Sequence, residues 1–158
     1  MSIDKVRAFL SPFGVADRIQ EFEVSSATVE LAAAALCIDG ARIAKSISLA
    51  APDGCILIVC AGDVKIDNRK FKDRFSQKPK MLSPDEALAL TGHAVGGVCP
   101  FALPMGVEVY LDESLKRFET VFPAAGSSNS ALELSCDELY KISGALDWVD
   151  VCKMRDSI

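Results

Sequence analysis

Ile43-Ala44-Lys45-Ser46-Ile47-Ser48-Leu49, then Pro52-Asp53-Gly54, then Cys55-Ile56-Leu57-Ile58-Val59-Cys60 is the stretch that decides the fold. Two aliphatic runs of strand length flank three turn-forming residues, which predicts a β-hairpin. Lys45 breaks the pattern. Its alternate neighbours Ile43 and Ile47 are apolar, so by the two-residue period of a strand they share its face. A lysine on a buried face needs a partner or a ligand. The alternative is a lysine at a strand end whose head reaches water.

Working outward from the hairpin, helix and strand signals alternate at short intervals. Ser2–Leu10 is amphipathic, with Ile3, Val6, Phe9 and Leu10 on one face, and Pro12 and Gly14 end it. Ile19–Val24 alternates like a strand. Ser26 is placed to cap a helix running through Val29 and Leu31 to Cys37. Asp67 precedes a basic helix, Arg69–Phe75. Ser83-Pro84-Asp85-Glu86 and Ser135-Cys136-Asp137-Glu138 are capping boxes, closed by Gly92 and Gly144. Val107–Leu111, Glu119–Phe122, Ala131–Leu134 and Trp148–Val151 read as further strands. Short hairpin-like strands mixed with short helices predict an α+β fold with a mixed, mostly antiparallel sheet. Neither a GxGxxG nor a Walker loop is present, which argues against a nucleotide-binding α/β fold.

The totals set bounds. The chain has 158 residues, 50% of them hydrophobic and 25% charged, which suits one domain over 1–158. A chain of this size buries about 70% of the surface its unfolded form exposes, so it needs neither disulfides nor a metal. No apolar run reaches the roughly 18 residues of a membrane span, and the N-terminus lacks a signal-peptide layout. Both point to a cytoplasmic protein without membrane contact. Cys37, Cys55, Cys60, Cys99, Cys136 and Cys152 include no CxxC pair, and the chain has 1 histidine, too few for a zinc set. These cysteines read as reduced, small core residues. No metal and no cofactor are expected.

The net charge of −5 argues against indiscriminate nucleic-acid binding. The charge is uneven, however. Lys65, Arg69, Lys70, Lys72, Arg74, Lys78 and Lys80 face only Asp67 and Asp73 within that window. Such a patch can hold a phosphate backbone, or it can be a solvated helix face.

Two loops carry further chemistry. Gly92 to Phe101 contains Gly96-Gly97, where backbone N–H groups can approach a ligand and stabilise an oxyanion. Ala124 to Ser130 is rich in small polar groups and can form a nest of hydroxyls and amides, or a plain polar turn. His93 reads either as a structural residue or as a base for Cys99, the pair then forming a thiol nucleophile.

These segments, in this order, resemble the YbaK/prolyl-tRNA-synthetase-associated domain family. The matching stretches are IAKSI at 43–47, ILIVCAGDVKID at 56–67, LTGHAVGGVCPFALP at 90–104, VYLDESL at 109–115 and VFPAAGSSNSALELS at 121–135. The resemblance implies a barrel-like mixed sheet with surrounding helices. It implies hydrolysis of the ester joining a small amino acid (alanine, cysteine or serine) to mischarged tRNA, proline tRNA above all, with the acceptor end and prolyl-tRNA synthetase as partners. Lys45 matches a pocket lysine that supports activity. Gly96, Gly97, Val98, Cys99, Pro100 and Phe101 match the loop whose amides hold the aminoacyl end, and Gly126 matches a glycine of the third segment. The expected site is therefore Lys45, Gly96 and Gly97 for catalysis. Ser26, Thr28, Val98, Cys99, Pro100, Phe101, Gly126, Ser127 and Asn129 would bind substrate, and Lys65, Arg69, Lys70 and Lys72 would bind tRNA. Ala124 and Ala131 stand where some single-domain relatives carry serine and aspartate, a departure that bears on which amino acid is removed. The alternative function is a non-catalytic aminoacyl- or tRNA-binding regulatory module.

Overall fold

The structure, a computed structural model, describes residues 2–155. In chain order the helices and strands are α1 (Ser2–Leu10), β1 (Gln20–Glu21), α2 (Val29–Leu36), β2 (Ile43–Ala51), β3 (Gly54–Ala61), β4 (Val64–Ile66), α3 (Asn68–Phe75) and α4 (Pro84–Thr91). They continue with β5 (Val107–Asp112), β6 (Thr120–Pro123), β7 (Ser130–Ala131), β8 (Leu134–Ser135), α5 (Cys136–Ser143), β9 (Asp147–Val149) and β10 (Cys152–Met154).

The hairpin is the centre of the molecule. β2 and β3 pair antiparallel from Ala44↔Ala61 to Ala51↔Gly54, with Pro52-Asp53 as the loop. They occupy the middle of a curled six-stranded sheet, β8-β6-β2-β3-β5-β9, which forms a half-barrel. β6 is parallel to β2, and β5 and β9 continue parallel beyond β3. The β6–β8 pair and two short ribbons, β1–β7 and β4–β10, are antiparallel. The sheet is thus mixed: three of its five strand pairs are parallel, and with the two ribbons counted four of the seven pairs among the described residues are antiparallel.

β3 is apolar along its length because both its faces are covered: Cys55 to Ala61 are all buried. α1 adds Ile3, Val6 and Leu10 to the core. α3 adds Phe71, whose ring lies 4.7 Å from Phe75, and Phe75 in turn meets Tyr110 edge-on at 4.9 Å. Truncating a core side chain such as Leu57 is expected to destabilise the fold by about 2–5 kcal/mol. Cys55, Cys60, Cys99 and Cys152 are buried free thiols, in keeping with their reading as core residues.

Both capping boxes form, with Gly92 and Gly144 in the left-handed conformation at the helix ends. The cap of α2 differs from expectation. Thr28, not Ser26, accepts the Leu31 N–H, at 3.1 Å, because the cap must sit one residue before the helix to reach its third amide. The last strand also differs: of Trp148–Val151 only Trp148 and Val149 are strand, in β9, and Asp150 and Val151 separate it from β10. Ile19–Val24 keeps only the two residues of β1 as strand. No helix among the described residues is long and apolar enough to cross a membrane.

Candidate functional site

A cavity of about 420 Å³ opens between β2, the start of α2, the start of α4 and the loop before Cys99. Lys45 and Gly96 both line it, as do Ser26, Thr28 and Val98. Met81, Leu82, Pro84, Ala87 and Val95 add apolar lining. Phe122, Ala124, Ser130 and Ala131 also line it.

Lys45 is half-buried, and its ammonium donates a hydrogen bond to the Val64 carbonyl. Val64 opens β4 directly after Asp63, whose carboxyl lies below the usual range because Arg117 bonds it, with a smaller contribution from the charge of Lys45. The lysine therefore has a fixed anchor at the end of its stem, on a carbonyl that does not itself line the cavity.

The glycines divide by role. Gly96 has φ +92°, and a Cβ there would stand 3.0 Å from the Ala27 Cβ, so the loop requires glycine both for conformation and for space. Gly97 does something else. Its N–H donates to the Ala94 carbonyl at 2.9 Å, so that amide is not available to an ester oxygen, contrary to expectation. A Cβ on Gly97 would lie 2.9 Å from the backbone of Gly126 and Ser127. Its absence lets the two loops pack directly. Gly126 faces α1 rather than the cavity, since its Cβ would meet Val6 at 2.8 Å and the Ser2 carbonyl at 2.9 Å.

Cys99, Pro100 and Phe101 are buried and do not line the cavity. The sequence groups them with Gly96 because they adjoin it, but the chain turns inward there. His93 explains the turn. Its Nε2–H donates to the Phe101 carbonyl at 2.8 Å, and its Nδ1 accepts from the Ser2 hydroxyl. Burial, the largest influence, lowers its pKa and keeps the ring neutral. The Cys99 Sγ lies 3.5 Å from the same Nε2, but a nitrogen that already carries a proton cannot accept the thiol's. Burial also pushes the Cys99 thiol up to about 12. The thiol-nucleophile alternative is therefore rejected, and His93 acts as a strut between α1 and the loop.

Ser127 and Asn129 likewise turn to their own loop. The Ser127 hydroxyl donates to Asn129 Oδ1 at 2.9 Å and accepts from Ser130 at 2.6 Å, while Asn129 Nδ2 donates to the Phe22 carbonyl at 2.9 Å. They shape the loop from which Ser130 reaches the cavity. Ser26 is held by its N–H, which donates to the Ser128 carbonyl at 2.6 Å.

The basic window is partly neutralised. Lys70 donates to Asp150 and to the Cys152 carbonyl, both at 3.0 Å, and Arg74 pairs with Asp147 at 3.5 Å. Lys65 also has a partner. Arg69 and Lys72 remain exposed on α3. The end of the window reaches the cavity rim, because the Lys80 carbonyl accepts from Ala50 N–H at 2.8 Å and Met81 follows it.

Ser46, Ser48, Met81, Leu82 and Ser130 line the cavity without having been singled out in the sequence. For Ser46 and Ser48 a signal existed: hydroxyls at alternate positions of an otherwise apolar strand. For 81–82 there was none, since those residues meet β2 only through the isolated bridge Leu49↔Met81.

Comparison with known proteins places this geometry. Residues 23–142 match the aminoacyl-tRNA editing domain. The uncharacterized protein YwhH of Bacillus subtilis (strain 168) is 53% identical over 154 residues, spanning 97% of this chain and 98% of the relative. A crystal structure described as a candidate trans-editing enzyme for prolyl tRNA synthetase superposes with a TM-score of 0.86 at 27% identity, covering 96% of this chain and 97% of the other. A scaffold used for epitope backbone grafting by computational design gives a TM-score of 0.87 at 26% identity, covering 98% of each chain.

Proposed function

The chain belongs to the aminoacyl-tRNA editing domain family, and we propose that it is a trans-acting deacylase for mischarged tRNA, removing alanine, serine or cysteine from proline tRNA. The observation that carries this reading is that Lys45 and Gly96 line one cavity. A volume of about 420 Å³ lies in the range of small-ligand sites, roughly 300–1,000 Å³. The proline tRNA assignment draws support from the solved relative described as a candidate trans-editing enzyme for prolyl tRNA synthetase, and that synthetase is the proposed partner.

The lining residues restrict the chemistry. They include no His, Cys, Asp or Glu, so the protein offers neither a thiolate nor a carboxylate or imidazole base. The attacking group is water, or first a ribose hydroxyl of the tRNA itself, in which case the aminoacyl group moves to that hydroxyl and water then cleaves the new ester. It adds to the ester carbonyl carbon, the bond to the ribose oxygen breaks, and that oxygen leaves with a proton. With water, the products are a free amino acid and a tRNA with an intact 3′ end. The ester is already activated, so positioning and charge stabilisation suffice. Lys45 supplies the charge, either to the developing oxyanion or to the terminal ribose and phosphate. Main-chain amides at the cavity wall supply further donors. Gly96 forms a wall without a side chain, and Ser26, Thr28 and Val98 bound the aminoacyl end. Arg69 and Lys72 meet the acceptor stem.

The lack of a lining base also favours a second reading, a module that binds an aminoacyl end without cleaving it. Incubation of alanyl-, seryl- and cysteinyl-tRNA(Pro) with the protein separates the two. The deacylase releases amino acid, and Lys45→Ala slows the release. A binding module shields the ester or leaves its spontaneous hydrolysis unchanged.

A further inference from the structure

The open edge of β2 leaves main-chain groups without partners inside the cavity. Near one end, the Ser48 carbonyl accepts from Leu82 N–H at 3.1 Å, and Ala50 N–H donates to the Lys80 carbonyl at 2.8 Å. Main-chain polar groups alternate sides along a strand, so the even-numbered residues of β2 turn theirs away from β3. At the other end, β6 pairs with β2 only at Ile43 and Ala44. Ser46 lies between these two covered stretches. Its N–H and C=O face the gap, and neither bonds another group among the described residues.

Ser46 lines the cavity and is partly accessible. Its hydroxyl is not the accessible part: Oγ is occluded, and among the described residues it is the buried side-chain polar atom that lacks a hydrogen-bond partner. What Ser46 offers the cavity is therefore its main chain and Cβ. Main-chain groups removed from bulk water are nearly always paired. An open N–H and C=O on one edge of a strand is the arrangement that accepts an added strand residue.

An extended aminoacyl unit has the matching pattern, with its α-ammonium and acyl oxygen on one side. The cavity lining contains no Asp, Glu, Asn or Gln, so an amino group entering it has only main-chain carbonyls and hydroxyls as acceptors. Resting on the deacylase reading of this cavity, we propose that the aminoacyl group docks on β2 as a one-residue extension of the sheet. Its α-ammonium donates to the Ser46 carbonyl, and its acyl oxygen accepts from the Ser46 N–H. Lys45, the cation of β2, lines the same cavity. The Lys45 ammonium is bonded to the Val64 carbonyl beside Asp63, which limits its repulsion of a second cation. Recognition then reads the free amino group common to all aminoacyl esters, and hydroxyacyl or N-blocked esters are poor ligands.

The test uses amide-linked analogues that cannot be hydrolysed. Isotopically labelled protein is titrated with 3′-deoxy-3′-alanylaminoadenosine and with its lactyl counterpart, in which a hydroxyl replaces the ammonium. The alanyl compound should bind about 10- to 100-fold more tightly and shift the Ser46 N–H and carbonyl resonances. Ser46→Ala keeps the main chain and should keep the preference. Equal affinities, a bound alanyl compound without shifts at Ser46, or loss of the preference in Ser46→Ala each overturn the inference while leaving the deacylase reading in place. If neither compound binds, both are overturned.

Discussion

Arg117 holds Asp63 with two hydrogen bonds, Nη1 to Oδ2 at 3.0 Å and Nη2 to Oδ1 at 2.6 Å, one residue before the carbonyl that takes the Lys45 ammonium. The Arg117 Nε donates to the Ser114 carbonyl at 2.9 Å, and the Ser114 hydroxyl accepts from Ala61 N–H at 3.1 Å. The turn between β3 and β4 is thereby fastened on both sides. A bidentate pair fixes direction as well as distance. Arg117→Ala should therefore lower the deacylation kcat about 10- to 100-fold through a misplaced lysine, with KM nearly unchanged. Added to Lys45→Ala, it should produce little further loss. Steady-state kinetics of the double-mutant cycle check this; additive losses would show that Arg117 acts elsewhere.

The buried, neutral His93 predicts a pH dependence of stability. Its folded pKa lies below the ordinary 6.5, with desolvation the main cause. Between the folded value and about 6.5 the unfolded chain binds a proton that the folded chain does not, so stability falls as pH drops through that window. Thermal unfolding followed from pH 7.5 downward should show this decline in the wild type. His93→Gln, which does not titrate, should be less stable at pH 7 and should lack the decline.

Cysteine reactivity separates the structural thiols from a nucleophile. Cys37 is exposed at the end of α2, whereas Cys99 is buried with its thiol pushed up to about 12. Iodoacetamide should modify Cys37 in the native protein and leave Cys99 untouched until the chain unfolds. Cys99→Ala should retain deacylation within a few-fold. Mass-spectrometric mapping and a rate measurement check both points.

Arg69 and Lys72 are the exposed cations of α3, while Lys70 is tied to Asp150. Replacing Arg69 and Lys72 by Glu should weaken tRNA binding and flatten its salt dependence. Hydrolysis of a small aminoacyl ester should be unchanged. Lys70→Ala should instead cost mainly stability, well under 1 kcal/mol for so exposed a pair.

The hairpin, the two capping boxes and the α+β class were legible because local chemistry determines them. Pro52-Asp53-Gly54 can only turn, and Ser83 with Glu86 satisfies helix amides whatever the rest of the chain does. Lys45 stood out because its charge conflicts with the strand around it. The roles of Gly97, Cys99, Pro100 and Phe101 were not legible. Sequence adjacency puts them beside Gly96, yet His93 draws the chain inward immediately after it. The partial loss of the basic patch was hidden for a similar reason, since Asp147 and Asp150 arrive from the far end of the chain. The hydroxyl of Ser46 marks its position in the apolar strand, but its role was not legible, because that role lies in which strand edge stays uncovered.

Lys45 and the cavity it lines form the site proposed to cleave the aminoacyl ester. Single-turnover deacylation of alanyl-, seryl- and cysteinyl-tRNA(Pro), with wild type and Lys45→Ala side by side, tests it most directly. The wild type should release at least one of these amino acids well above the spontaneous rate, and Lys45→Ala should lose about a hundredfold while unfolding at nearly the same temperature. Equal rates for the two proteins, or release no faster than in buffer for all three, would contradict it.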